Sequence, residues 1–119
     1  MAEPKHITWV VSNGLAVVRF RYERFRALEE YEEIDEEVNS AAAAEGVRAV
    51  VVNCDVLENF PSRLLGILAG LSKKLSKDGR KLAVCRLRPE PLRVFRLTRL
   101  DTLIPVYAGE DEARAALGA

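Results

Sequence analysis

The chain opens on an apolar, β-branched run from Ile7 to Val11, followed by Asn13-Gly14 and then Leu15 to Tyr22, which alternates apolar and polar positions toward its end. Asn-Gly between two such runs signals a hairpin, because the favoured two-residue turn needs φ > 0 at both central positions. An antiparallel pair is predicted over 6–12 and 15–21. From Arg26 the period lengthens. Leu28, Tyr31, Ile34, Val38 and Ala42 recur three and four apart, the spacing of one helix face, and Glu45-Gly46 ends the pattern.

Val47 to Cys54 holds Ala49, Val50, Val51 and Val52 in succession. A continuous run of this kind predicts a strand buried on both faces, hence a central one. Asp55 to Pro61 is a loop. Leu64, Ile67, Leu68, Leu71 and Leu75 then repeat at helical spacing until Lys77-Asp78-Gly79. Lys81 to Arg86 is a short strand. Pro89-Glu90-Pro91 opens a third helix, with Leu92, Phe95 and Leu100 toward its core side. Leu103 to Tyr107 is a last strand and Gly109 to Leu117 a final helix. The order is ββαβαβαβα. The fold class is α/β, a mixed but largely parallel sheet with an N-terminal hairpin and about four helices. Residues 1–119 are expected to form a single domain, with no internal repeat or linker.

Composition narrows the class. A hydrophobic fraction of 49% is too high for disorder, and a charged fraction of 30% is too high for a membrane protein. No stretch reaches the roughly 18 apolar residues of a membrane span. The start lacks the basic-then-apolar pattern of a secretory leader, so a cytoplasmic protein is expected. Cys54 and Cys85 are too few for a disulfide framework, and each ends an apolar run, so both are expected to be small buried hydrophobes. With a single histidine, His6, the inventory falls short of a zinc site, and no metal or cofactor is implied.

Charge adds an asymmetry. Residues 1–60 carry 6 basic and 12 acidic side chains, and residues 61–119 carry 12 basic and 6 acidic, so a net of zero conceals halves of −6 and +6. Acids fill seven of the nine positions 29–37, while ten bases fall between Lys73 and Arg99. No nucleic-acid motif and no interleaved aromatics accompany the bases, so two solvated faces are the preferred reading over a nucleic-acid surface.

Candidate chemistry is sparse. No Gly-rich phosphate loop and no Gly-x-Ser-x-Gly elbow is present. His6 is expected at the surface. Asp55 and Glu58 are expected to be solvated turn residues, and Trp9 a core or sheet-surface residue. In sheets of this kind, loops leaving the carboxyl ends of strands tend to hold function. The loop after the central strand leads into the most apolar helix, where Ser62 is the expected N-cap and Pro61 sets the approach of the chain. Leu65 stands three residues on, so there is no capping box. A phosphate on Ser62 would add about −1.5 to −2 charges beside free N–H groups at the positive end of a helix.

Three segments resemble the STAS domain family, the bacterial anti-sigma factor antagonists. One is Val50-Val51-Val52-Asn53-Cys54, followed after a loop by Ser62-Arg63-Leu64-Leu65-Gly66-Ile67-Leu68. It is similar to an apolar strand leading to Asp-Ser-Ser-Gly-Leu-Gly-Val-Leu. A second is Lys77-Asp78-Gly79-Arg80-Lys81-Leu82-Ala83-Val84-Cys85, similar to the family's Gly-Gly-x-Leu before a strand. The third runs from Arg88 to Asp101 and resembles the family's Pro-x-Val-x-x-Val/Phe-x-x-Thr/Ser-Gly-Leu.

The resemblance implies a non-enzymatic protein that docks on an anti-sigma factor with serine-kinase activity, or on a related signalling protein. It implies Ser62 as the phosphorylated serine, and a docking face of Asn59, Pro61, Ser62, Arg63, Leu64 and Gly66. Pro61 stands where the family usually has an acid, Arg63 where it has a second serine, and Leu64 where it has glycine. The alternative is a STAS interaction or scaffold module without phosphorylation, as in stressosome-like or transporter-associated members. A nucleic-acid binder, a nucleotide binder or a small enzyme is a different and less favoured class. A homodimer is left open.

Overall fold

A computed structural model describes residues 4–22 and 28–118. Strands β1 (Ile7–Ser12) and β2 (Leu15–Phe20) form the predicted antiparallel hairpin. Its turn places Asn13 at φ 53° and Gly14 at φ 78°, the left-handed pair the sequence demanded. The Gly14 carbonyl then accepts from the Arg48 and Ala49 N–H groups, which splices the turn onto the next strand. Helix α1 (Leu28–Ala42) follows, then β3 (Ala49–Asn53), α2 (Ser62–Lys77), β4 (Lys81–Cys85), α3 (Pro89–Leu97), a 3₁₀ turn (Leu100–Thr102), β5 (Val106–Tyr107) and α4 (Glu110–Ala116). The expected start of the first helix at Arg26 lies outside the described residues.

The sheet has the order β1-β2-β3-β4-β5, and every pair except β1–β2 is parallel. Each β3 residue is buried, as a strand without polar alternation requires. One sheet face presents Ala16, Val18, Val50, Val52, Leu82 and Val84 to Ile34 and Val38 of α1 and to the leucines of α2. Leu64, Leu68, Leu71 and Leu75 of α2 are all at most 2% exposed. Each contributes about 1.5–3 kcal/mol when removed from water, which is how a short helix becomes stable. The other face is smaller: Leu15, Val17, Ala49, Val51 and Cys85 lie under Ala113 of α4.

Four details depart from expectation. Leu28 is 61% exposed, not part of the core face. It lies roughly 120° around the helix from Ile34, which points into the sheet. His6 is buried rather than at the surface. Its Nε2 pairs with Glu33 Oε1 at 3.1 Å, and the Tyr22 ring meets it edge-on at 5.9 Å. The Glu37 carboxylate accepts from the backbone N–H groups of Lys5, His6 and Ile7, which pulls this segment against α1. The last strand begins at Val106, not Leu103, because the Leu103 and Ile104 N–H groups are already bonded to the Leu100 carbonyl. Helix α2 begins at Ser62 with Pro61 as its N-cap, so the Ser62 hydroxyl is not the expected cap.

Candidate functional site

The site predicted around Ser62 is built by two anchors. After β3, the Cys54 N–H bonds the Cys85 carbonyl, and the Asp55 N–H bonds Asn53 Oδ1 at 3.0 Å. The chain then turns back, with Leu57 fully buried and Phe60 4% exposed. Phe60 meets Phe95 of α3 edge-on, with ring centroids 5.3 Å apart. An aromatic edge contact of this kind adds about 0.5–1.5 kcal/mol to the area buried. Inserting Leu57 and Phe60 leaves the intervening Asn59 exposed.

Pro61 then sets the helix start. Its φ of −64° and ψ of 151° are extended, and its carbonyl accepts the first helical bond from the Leu65 N–H. Ser62 is the first helical residue and is exposed. No side chain caps the helix, and no acid lies in its first turn. The unfilled N–H groups of that turn and the positive helix end favour an anion there. Arg63 is also exposed, and its guanidinium stands 6.0 Å from the centre of the Tyr31 ring of α1.

The six expected docking residues do not all share one surface. Asn59, Ser62, Arg63 and Gly66 are exposed and Pro61 is half-buried, whereas the Leu64 side chain is fully buried beneath them. Gly66 lies one turn after Ser62, and a Cβ added there would touch nothing within 4 Å. The surface beside the serine is therefore open and flat.

A second polar cluster, not foreseen from sequence, lies on the α4 face at the carboxyl ends of β2, β3 and β4. Asn53 Nδ2 donates to Glu110 Oε2 at 2.6 Å, and the Arg19 guanidinium holds the same carboxylate through Nε and Nη2. Burial pushes the Glu110 carboxyl up, but the bonds from Asn53 and Arg19 outweigh it and leave its pKa below the ordinary value. A groove of about 490 Å³ adjoins it, lined in part by Arg19, Asn53, Asp55, Arg86 and Glu110. Its charges are largely mutually paired. The only weak sequence cue was polar residues closing three neighbouring apolar strands.

Both cysteines are free and buried. Burial raises the Cys54 thiol well above its ordinary pKa and pushes Cys85 up to about 11, which holds both as inert thiols. Among the described residues no group of three His, Cys, Asp or Glu could hold a metal ion. Trp9 is half-buried and packs against the core, and Asp55 and Glu58 are half-exposed in the loop. The basic stretch is divided by β4: Arg80 bonds the Ala42 carbonyl at the strand's start, while Arg86 follows its end. No described helix is long and apolar enough to cross a membrane.

The sequence model of the STAS domain matches residues 8–113. The chain belongs to the STAS domain family. Its fold agrees with solved STAS structures. A STAS-domain anti-sigma factor antagonist protein from Planctomyces limnophilus superposes with a TM-score of 0.84 at 24% identity, covering 95% of this chain and 98% of that one. An anti-sigma factor antagonist from Mycobacterium paratuberculosis gives 0.79 at 25% identity over the whole of both chains. The phosphorylated form of the Bacillus cell fate determinant SpoIIAA gives 0.67 at 19% identity, covering 92% of this chain and 97% of that one. The mixed five-stranded sheet, four helices and ββαβαβαβα order are those of this STAS fold.

Proposed function

We propose that this STAS domain is a non-enzymatic regulatory protein of the cytoplasm that docks on an anti-sigma factor with serine-kinase activity, or a related signalling protein. Docking uses the start of α2, and phosphorylation of Ser62 breaks it. The supporting observation is Ser62 itself, exposed at the first position of α2 on a loop anchored by Phe60. An incoming kinase meets an exposed serine whose backbone is placed by the helix start. The phosphate adds charge to a surface flattened by Gly66, where a docked partner feels it directly. The uncapped helix start accommodates that charge, so the fold survives the modification. Arg63 is adjacent and supplies a guanidinium that a phosphate can pair with.

The test is incubation with ATP and the kinases encoded beside this protein, mapping of phosphate by mass spectrometry, and calorimetric titration of partner binding with Ser62→Ala as control. Expected are phosphate on Ser62, none on the variant, and loss of binding by the modified protein alone. Partner binding without any phosphate on Ser62 would instead assign an interaction module that carries no such switch.

A further inference from the structure

Helices α1 and α3 sit at opposite ends of the helical layer. Helix α1 packs against β1 and β2, whereas α3 lines a cleft with Val106 and Tyr107 of β5. With β1 and β5 the two edges of a five-stranded sheet, about 19 Å apart, these helices lie toward opposite edges. Each carries an unsatisfied surface of opposite sign.

On α3, Leu92 and Arg96 form a ridge between two clefts, of about 630 and 380 Å³, and line both. Pro89, Arg93 and Leu97 complete the smaller cleft, whose floor is apolar. Leu97 is 68% exposed. Arg96, and Arg99 just beyond the end of the helix, are exposed and make no side-chain hydrogen bond or ion pair with any described residue. On α1, Glu29, Glu32 and Glu36 are exposed, and they too have no such partner among the described residues. Their spacing of three and four puts them on one stripe. Leu28, beside the stripe, is exposed as well.

The fold keeps these surfaces apart within one molecule, so the carboxylate stripe of one copy can reach such an arginine ridge on a second copy. The zero net charge removes overall repulsion between copies. We propose that the protein associates head to tail, with α1 of one copy seated on the α3 ridge of the next. Glu32 and Glu36 face Arg96 and Arg99, and Leu28 enters the apolar cleft beside Leu97. The contact is heterologous, so each copy keeps a stripe and a ridge for further copies, in an open chain or a closed ring according to the rotation between them. It engages neither Ser62 nor Gly66. Exposed ion pairs are individually weak and salt-screened, so association belongs to low ionic strength and high protein concentration.

Sedimentation velocity tests this at about 20 mM and about 500 mM salt, where the screening length falls several-fold. The wild type is expected to gain mean mass with concentration at low salt and to be monomeric at high salt. One neutralised variant, Arg96→Gln with Arg99→Gln, loses the ridge. The other, Glu32→Gln with Glu36→Gln, loses the stripe. Each is expected to be monomeric alone. An equimolar mixture is expected to form dimers and stop there, because only one complementary pair of surfaces survives. Urea unfolding of each variant confirms that it is folded. A wild type monomeric under both conditions would overturn the proposal. So would association that persists at high salt or in either variant, or a mixture that stays monomeric.

Discussion

Arg19 and Glu110 lie 91 residues apart and are joined by a forked ion pair, with Nε to Oε2 at 3.0 Å and Nη2 to Oε1 at 2.8 Å. Asn53, 3% exposed, donates its amide to the same carboxylate. One acid thus ties the ends of β2 and β3 to the start of α4. The small core beneath α4 is otherwise covered by Ala113, Tyr107 and Leu117.

Glu110→Ala is expected to lower unfolding free energy by about 1–2 kcal/mol at pH 7, from lost charged hydrogen bonds discounted for the exposure of Arg19. Its carboxyl binds a proton less tightly in the folded chain than in the unfolded one. The contribution is therefore complete above the ordinary carboxylate range and is lost as pH falls through the depressed folded value. Urea unfolding of both proteins from about pH 5 downward should show the gap narrowing. A gap indifferent to acid would assign the effect to packing alone.

Phe60→Ala should cost about 3–5 kcal/mol, since it opens a cavity against Phe95 and removes an anchor of the loop before α2. Hydrogen exchange should rise most at residues 57–65. Uniform acceleration throughout the chain would mean that Phe60 holds the whole core rather than this loop.

Glu37→Ala leaves the N–H groups of Lys5, His6 and Ile7 without their shared acceptor. A loss of about 1–3 kcal/mol is expected, with faster exchange of those three amides. Glu37→Gln retains a carbonyl acceptor and should recover part of it. Equal effects of the two substitutions would show that charge, not acceptance, matters here.

The thiols should be silent. Native protein at about pH 8 is expected to resist an aromatic disulfide reagent, because Cys54 and Cys85 are buried and both thiols are raised, Cys85 to about 11. Both should react once urea unfolds the chain. Prompt labelling of the folded protein would reveal an opening at the end of β3 or of β4, according to which thiol reacts.

Local pattern was enough for much of the architecture. Asn13-Gly14 marked the hairpin, Val50-Val51-Val52 the fully buried strand, and the leucine spacing after Ser62 the central helix. Each depends on interactions within a few residues, or on how many faces of an element are covered. Ser62 could be placed at the helix start for the same reason. Its role there was misread by one residue, because Pro61, with fixed φ and extended ψ, takes the boundary.

Tertiary structure alone decided the rest. His6 is buried because Glu33 and Glu37, about 30 residues away, turn toward it. Leu64 sits under the expected docking surface because the helix rotation set by Leu68 and Leu71 turns it inward. Glu110 meets Arg19 and Asn53 only after parallel crossovers bring three strand ends together. Periodicity reports which side of an element is buried. It carries no information about which distant charged group will face it across the fold.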